Sequence, residues 1–147
     1  MMLHLAEPTG SRLDACAAFY AAAFAAPPWC ESYDSDALTA YFSAFCHSDA
    51  RRCWLLMDGD VPVGIALCAI VPCPDAPFLR IEDICIDPRV QRQGYGSAFL
   101  KLLRQAAREL GCDCIMLATQ RGFPAHDFYR KNGLQEIDSV QLVMDVQ

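Results

Sequence analysis

The sequence has no hydrophobic run of the ~18–20 residues that a membrane-spanning helix needs, because Asp, Glu or Arg interrupts every apolar stretch. It also lacks a basic leader followed by an apolar segment, since the start reads MMLHLAEPTG. Both features predict a soluble, cytoplasmic protein with no membrane partner. Bases are scarce: Lys and Arg total 12 against 18 Asp and Glu, a net charge of −6. The whole deficit lies in residues 1–79, with nine acids and three bases, whereas residues 80–147 carry nine of each. A chain short of Lys and Arg is poorly equipped to neutralise phosphates, so no nucleic acid partner is expected. The acidic first half suits a cationic small molecule.

C-x-x-C is absent as well, although there are nine cysteines, at 16, 30, 46, 53, 68, 73, 85, 112 and 114. The odd count, and apolar surroundings such as IALCAI and EDICI, predict reduced thiols that pack as small hydrophobes. Cys112 and Cys114 flank Asp113 in a predicted strand and would share one face. Tetrahedral zinc sites usually use a turn with wider ligand spacing, so no metal is expected.

What is present is ample core material: 54% hydrophobic and 20% charged residues. No repeat, low-complexity segment or linker divides the chain, so residues 1–147 read as a single domain. A strand is predicted at 3–6, then a helix from Ser11 to about Phe24 with Leu13, Ala17, Tyr20 and Phe24 at helical spacing. Pro27 and Pro28 stop it. After the loop WCESYDSD, Ser35 or Asp36 caps a second helix with a Leu38, Tyr41, Phe42, Phe45 stripe. Strands at 51–57 and 61–71 flank the hairpin signal Asp58-Gly59. A strand at 80–87, a helix over 94–110 with Phe99, Leu102, Leu103, Ala106 and Leu110 on one face, and a strand at 112–118 follow. Pro124 opens a short helix to about Lys131, and strands near 134–137 and 140–146 close the chain. The order βααββ then βαβαββ predicts an α/β fold: a central, twisted mixed sheet with helices on both faces.

The most informative stretch is Gln91-Arg92-Gln93-Gly94-Tyr95-Gly96-Ser97, between a strand and a helix. Its glycines let successive N–H groups converge, and the helix N-terminus adds partial positive charge, a combination suited to a pyrophosphate. It is not the dinucleotide fingerprint G-x-G-x-x-G, because position 99 is Phe, and no Gly-Lys-Ser/Thr follows.

The segment IEDICIDPRVQRQGYGSAFLKLL resembles motif A of the GCN5-related N-acetyltransferases, and PAHDFYRKNGL is similar to that family's closing helix and turn. The resemblance runs from about Leu3 to Met144 and implies the family's acyl-CoA N-acyltransferase fold. It implies acetyl-CoA as acetyl donor, with the backbone of Gln93, Gly94, Tyr95, Gly96 and Ser97 on the pyrophosphate and Gln91 and Arg92 beside it. Ile84, Cys85 and Ile86 would offer backbone groups to the pantetheine arm where two parallel strands splay apart, and Phe128 would also contact the cofactor. Tyr129 matches the family tyrosine proposed to protonate the departing thiolate. The string I-E-D-I-C-I is similar to the polyamine acetyltransferase branch, which implies Glu82 as base or water-relaying base.

Strict strand alternation puts Glu82, Ile84 and Ile86 on one face and Asp83 and Cys85 on the other. Only one of the two carboxylates would then face the acetyl group, and the sequence leaves open which. His126 as base and Cys85 as acyl carrier are weaker alternatives. Trp29, Glu31 and Tyr33, with Asp83, are the expected acceptor contacts, since carboxylates and aromatic faces suit an ammonium. P-P-W-x-E looks like bacterial members that include aminoglycoside acetyltransferase-like proteins. Thr119-Gln120 departs from the family, which often has Asn after this strand. The resulting expectation is an N-acetyltransferase acting on a primary amine of a cationic small molecule by direct transfer in a ternary complex. A protein or peptide amino group, or a non-catalytic acyl-CoA-binding sensor, is the alternative. A homodimer is left open, because the C-terminal strands of the family often form dimer contacts.

Overall fold

The computed structural model describes residues 2–147. Strand β1 (Leu3–Ala6) precedes helices α1 (Gly10–Ala25) and α2 (Ser35–Ser43), and then strands β2 (Arg51–Asp58), β3 (Val61–Val71) and β4 (Phe78–Ile86). A 3₁₀ turn (Pro88–Val90), helix α3 (Tyr95–Glu109), strand β5 (Ile115–Met116) and helix α4 (Pro124–Lys131) follow. The sheet order is β1-β2-β3-β4-β5, antiparallel up to β4, with β4 and β5 parallel. This mixed sheet, with helices on both faces, is the predicted fold class.

The runs LLM in β2 and VGIALCAI in β3 are continuously apolar because the sheet is covered on both sides. Leu55, Met57, Ile65, Leu67 and Cys85 pack under α1 and α2 with Phe19, Tyr20 and Phe42. Leu56, Ala66, Cys68, Leu79 and Ile81 pack on the opposite face against Phe99 and Leu103 of α3. Each fully buried Leu or Phe contributes about 1.5–3 kcal/mol by leaving water. The buried line of α3 is Tyr95, Phe99, Leu103 and Ala107, one residue per turn, so Leu102, Ala106 and Leu110 lie at its margin instead of at its centre.

Four local expectations are revised. Asp34 caps α2, its side chain accepting from the Ala37 N–H at 3.1 Å, in place of Ser35 or Asp36. The strand expected over 112–118 pairs only at Ile115 and Met116, leaving Cys112 half-buried and Cys114 exposed outside it. The strands expected near 134–137 and 140–146 are not formed. Residues 140–146 alternate as a strand does, but neither segment pairs with a strand among the described residues.

The fourth revision concerns β4. Leu67 pairs with Asp83 while its neighbour Cys68 pairs with Ile81, so Glu82 is an extra, unpaired residue in a β-bulge. Before the bulge, Leu79 and Ile81 face α3. After it, Ile84 and Ile86 do, while Cys85 faces α1. The inserted residue therefore cancels the strict alternation and turns Glu82 and Asp83 to the same side.

Candidate active site

Beyond Arg80, the last β4 residue paired with β5, the edge of β4 that looks toward β5 has no strand partner among the described residues. Ile84, Cys85 and Ile86 lie on this open stretch, and their backbone is held from the other side by Ala66, Ile65 and Gly64 of β3. Gly64 is required there: a Cβ would come within 2.9 Å of Ile86 and 3.1 Å of Phe99. The Cys85 side chain is buried, and burial pushes its thiol up, so it is not poised as a nucleophile.

The strand feeds directly into the glycine loop. Asp87, buried and paired with Arg89 at 2.7 Å, caps the 3₁₀ turn. Gln91 donates its side-chain N–H to the Ile86 carbonyl at 3.1 Å, tying the loop to the strand end. Arg92 and Gln93 are exposed, Arg92 with φ of 65° and Gly94 with φ of 86°. Gly94 is the N-cap of α3, and no side chain caps the first-turn amides of Tyr95, Gly96 and Ser97. An uncapped helix start with a left-handed glycine before it presents N–H groups and dipole to an anion, so the loop fits a diphosphate. The Tyr95 side chain is engaged elsewhere, donating to Asp58 of the β2–β3 hairpin at 2.6 Å, which leaves only its backbone for such a ligand. Gly96 lies under Phe128: a Cβ there would meet the ring at 2.9 Å. This contact sets α4 against the start of α3.

On the other side of β4, the bulge meets α1 and α2. Tyr20 donates to Asp83 Oδ2 at 2.6 Å, and Tyr41 donates to the same oxygen at 2.9 Å. Burial raises the Asp83 pKa; the two phenol hydrogen bonds pull it back down, and the negative charges of Glu31 and Glu82 add to the rise. Burial, followed by the Asp83 charge, raises both tyrosines in turn, and Glu82 also acts on Tyr41. Glu82 itself is exposed. Tyr33 donates to Glu31, a contact that pushes its hydroxyl up to about 12, and its ring lies 5.8 Å from that of Tyr20. Trp29 is wedged between Phe24 at 5.3 Å and Phe123 at 5.9 Å, which staples the helix junction to the segment before α4.

Tyr129 of α4 is half-buried, packed against the core on the α3 side of the sheet. Burial pushes its hydroxyl up to about 12, with the charges of Asp83 and Cys85 adding to the effect. It has no hydrogen-bond partner among the described residues, so its proton is free for a ligand. His126, one turn earlier, is taken by Glu136 at 2.6 Å. No group of three or more His, Cys, Asp or Glu side chains suited to a metal occurs among the described residues. The geometry thus joins Asp83, Tyr20 and Tyr41 at the β4 bulge, next to the open edge that runs into the glycine loop.

The sequence profile of the acetyltransferase (GNAT) family matches residues 16–134, which include all of these elements. The chain belongs to that family. Among solved structures, the acetyltransferase is similar to a possible acetyltransferase from Clostridium difficile 630, at 16% identity and a TM-score of 0.85, covering 100% of this chain and 99% of the other. It is similar also to an aminoglycoside acetyltransferase from an uncultured soil metagenomic sample in complex with sisomicin, at 18% identity and TM-score 0.76, covering 99% and 97%. A third is AAC(6')-Iy in complex with a bisubstrate analogue of CoA, at 15% identity and TM-score 0.78, covering 99% of each chain. At these identities the likeness is one of fold. Comparison with curated proteins finds no match.

Tyr20 and Tyr41 escaped the sequence reading, which placed both within apolar helix stripes. A signal was available. A tyrosine on a core-facing stripe brings a hydroxyl that must find a partner, and an acid on a neighbouring strand is the natural one.

Proposed function

We propose that this acetyltransferase moves an acetyl group from acetyl-CoA to a primary amine of a cationic small molecule, directly, within a ternary complex. The observation that carries this reading is the pair of tyrosine hydroxyls fixing one oxygen of the half-buried Asp83 carboxylate next to the open stretch of β4. The thioester, when bound, supplies an activated acyl group. The chain's own residues hold and orient it. The amides of Gln93, Gly94, Tyr95, Gly96 and Ser97 would take the diphosphate, the open edge at Ile84–Ile86 the amide-bearing arm, and Phe128 the space above Gly96.

The acceptor enters from the acidic side, past Glu31, Tyr33 and Trp29. An ammonium has a pKa near ~10 and must lose a proton before it can attack. Asp83 is better placed to take that proton than Glu82: it is half-buried and oriented by Tyr20 and Tyr41, whereas Glu82 is exposed. With Oδ2 committed to the phenols, Oδ1 remains for the incoming N–H. Glu82, exposed on the same side of the bulge, then passes the proton to solvent. Tyr129, protonated throughout the neutral range, donates to the departing thiolate. Acid–base assistance of this kind contributes typically ~10²–10⁴-fold, and holding both reactants in line contributes more. The aminoglycoside-acetylating neighbours support a small polycationic acceptor.

A thiol-release assay with acetyl-CoA across a panel of polyamines, aminoglycosides and peptides tests the proposal, alongside thermal unfolding with CoA. Turnover restricted to small cationic amines is expected. Stabilisation by CoA with no thiol released on any amine would instead identify a binding domain.

A further inference from the structure

The glycine turn is held at both ends by one hairpin. At its entry, the Asp87 N–H donates to the Val63 carbonyl of β3 at 2.8 Å. At its exit, the Tyr95 hydroxyl donates to Oδ2 of Asp58, the last residue of β2, at 2.6 Å. Between these anchors the chain is exposed from Gln91 to Gly94 and takes left-handed torsions at Arg92 and Gly94. A non-glycine residue in that region persists only where its surroundings fix it. The direction in which the turn aims its amides therefore depends on where the hairpin sets the two ends.

Asp58 is itself fixed. It pairs with Leu3 of β1 on one side and with Val61 of β3 on the other. Its Oδ1 accepts the Met2 N–H at 3.2 Å, and the Gly59 N–H returns to the Met2 carbonyl at 3.0 Å. The Tyr95 bond holds the Asp58 carboxyl below its ordinary value, so at neutral pH it is ionised and accepts strongly. The Tyr95 ring is buried with Leu56 and Phe99. A phenylalanine would fill that volume as well. Only the hydroxyl lets the start of α3 be set by a group 37 positions earlier.

We propose that Asp58 is a positioning residue for the diphosphate of acyl-CoA. Through the Tyr95 hydroxyl it fixes the first turn of α3, so that the amides of Tyr95, Gly96 and Ser97 meet the anion already aligned. A site aligned beforehand spends less of its binding energy on ordering the loop. Asp58 acts through the bond and not through its charge, because the acceptor oxygen is what directs the ring. This role rests on the glycine turn taking the diphosphate, and it does not depend on which amine the enzyme acetylates.

The test is the Kd for CoA by calorimetry on the full chain. Asp58→Ala and Tyr95→Phe should each weaken CoA about tenfold, and D58A/Y95F no further, because all three remove one and the same bond. Asp58→Asn keeps an oxygen for the Tyr95 hydroxyl while removing the charge, and should bind CoA as wild type does. Asp60→Ala, exposed in the same turn, should do so too. With an amine that turns over, the tenfold factor should reappear in KM for acetyl-CoA while kcat is kept. Wild-type affinity in D58A or Y95F overturns the positioning role and leaves the turn as the diphosphate site, whereas a wild type with no affinity for CoA overturns both. D58N as weak as D58A, D60A as weak as D58A, a double variant weaker than either single one, or a loss in kcat in place of KM overturns it equally. Y95F removes one oxygen from a buried ring, so its Kd decides the matter even where D58A does not fold.

Discussion

The Tyr20 hydroxyl of α1 donates to Asp83 Oδ2 of β4 across 2.6 Å, joining residues 63 positions apart at the β4 bulge. Tyr41 of α2 reaches the same oxygen at 2.9 Å. Two helices are thereby latched to the one place where β4 is irregular, and a carboxylate that would otherwise be an unpaired buried charge is held in one orientation.

Replacing Asp83 by Asn keeps the shape and an acceptor for the tyrosines but removes the proton acceptor. The expected result is a fall in kcat/KM of about 10²–10³-fold, with binding of CoA unchanged by calorimetry. Because burial raises the Asp83 pKa in the folded state, its ionised form weakens the fold at neutral pH, and that cost disappears as pH falls through the raised value. D83N should therefore unfold at a temperature no lower than wild type at pH 7. A destabilised but fully active D83N would remove Asp83 from the proposed role.

Tyr20→Phe deletes one of the two hydrogen bonds that lower the Asp83 pKa. The acidic limb of kcat/KM against pH should move to higher pH, since the carboxylate now needs a less acidic solution to ionise. Tyr41→Phe should move it the same way. Loss of the part-buried Tyr20 hydrogen bond should cost about 1.5 kcal/mol of stability, and loss of the exposed Tyr41 one less, read by urea unfolding. A limb that stays in place in both variants would place the titrating base elsewhere.

Tyr129→Phe should lower kcat by roughly 10²-fold and leave KM for the amine nearly unchanged, because its proton is needed only as the thiolate departs. With its hydroxyl pushed up to about 12, wild type should show no loss of kcat from Tyr129 ionisation up to pH values where an ordinary tyrosine has already titrated. Steady-state kinetics across the alkaline range decides this.

The two loop glycines should fail differently. Gly94→Ala meets no atom within 4 Å but must hold φ of 86°, a strain of roughly 1–2 kcal/mol. Gly96→Ala adds a methyl 2.9 Å from the Phe128 ring, so that ring must shift, at a cost of about 1–3 kcal/mol. Thermal unfolding with and without CoA separates them: the Gly96 variant should lose more of the CoA-induced stabilisation, because it also displaces Phe128.

Much of the fold was legible in the chain itself. The hairpin at Asp58-Gly59, the helix starts and stops, and the loop Gln91–Ser97 are local devices, set by glycine torsions, prolines and caps within a few residues of sequence. The order of helices and strands announced a mixed sheet with helices on both faces. Glu82 and Asp83 were legible as a pair, but not their shared direction. The bulge that aligns them is a mismatch in register between β3 and β4, and register belongs to two strands together.

What the sequence by itself determined, then, is the framework and the glycine turn that opens α3, because neighbouring residues dictate both. Only the tertiary structure decided that Tyr20 and Tyr41 reach Asp83 from their apolar stripes, and that residues 140–146, patterned as a strand, pair with no strand among the described residues. Each of these joins groups far apart in sequence, and a hydroxyl, a carboxylate or a strand edge acquires its role only from the partner that folding brings to it.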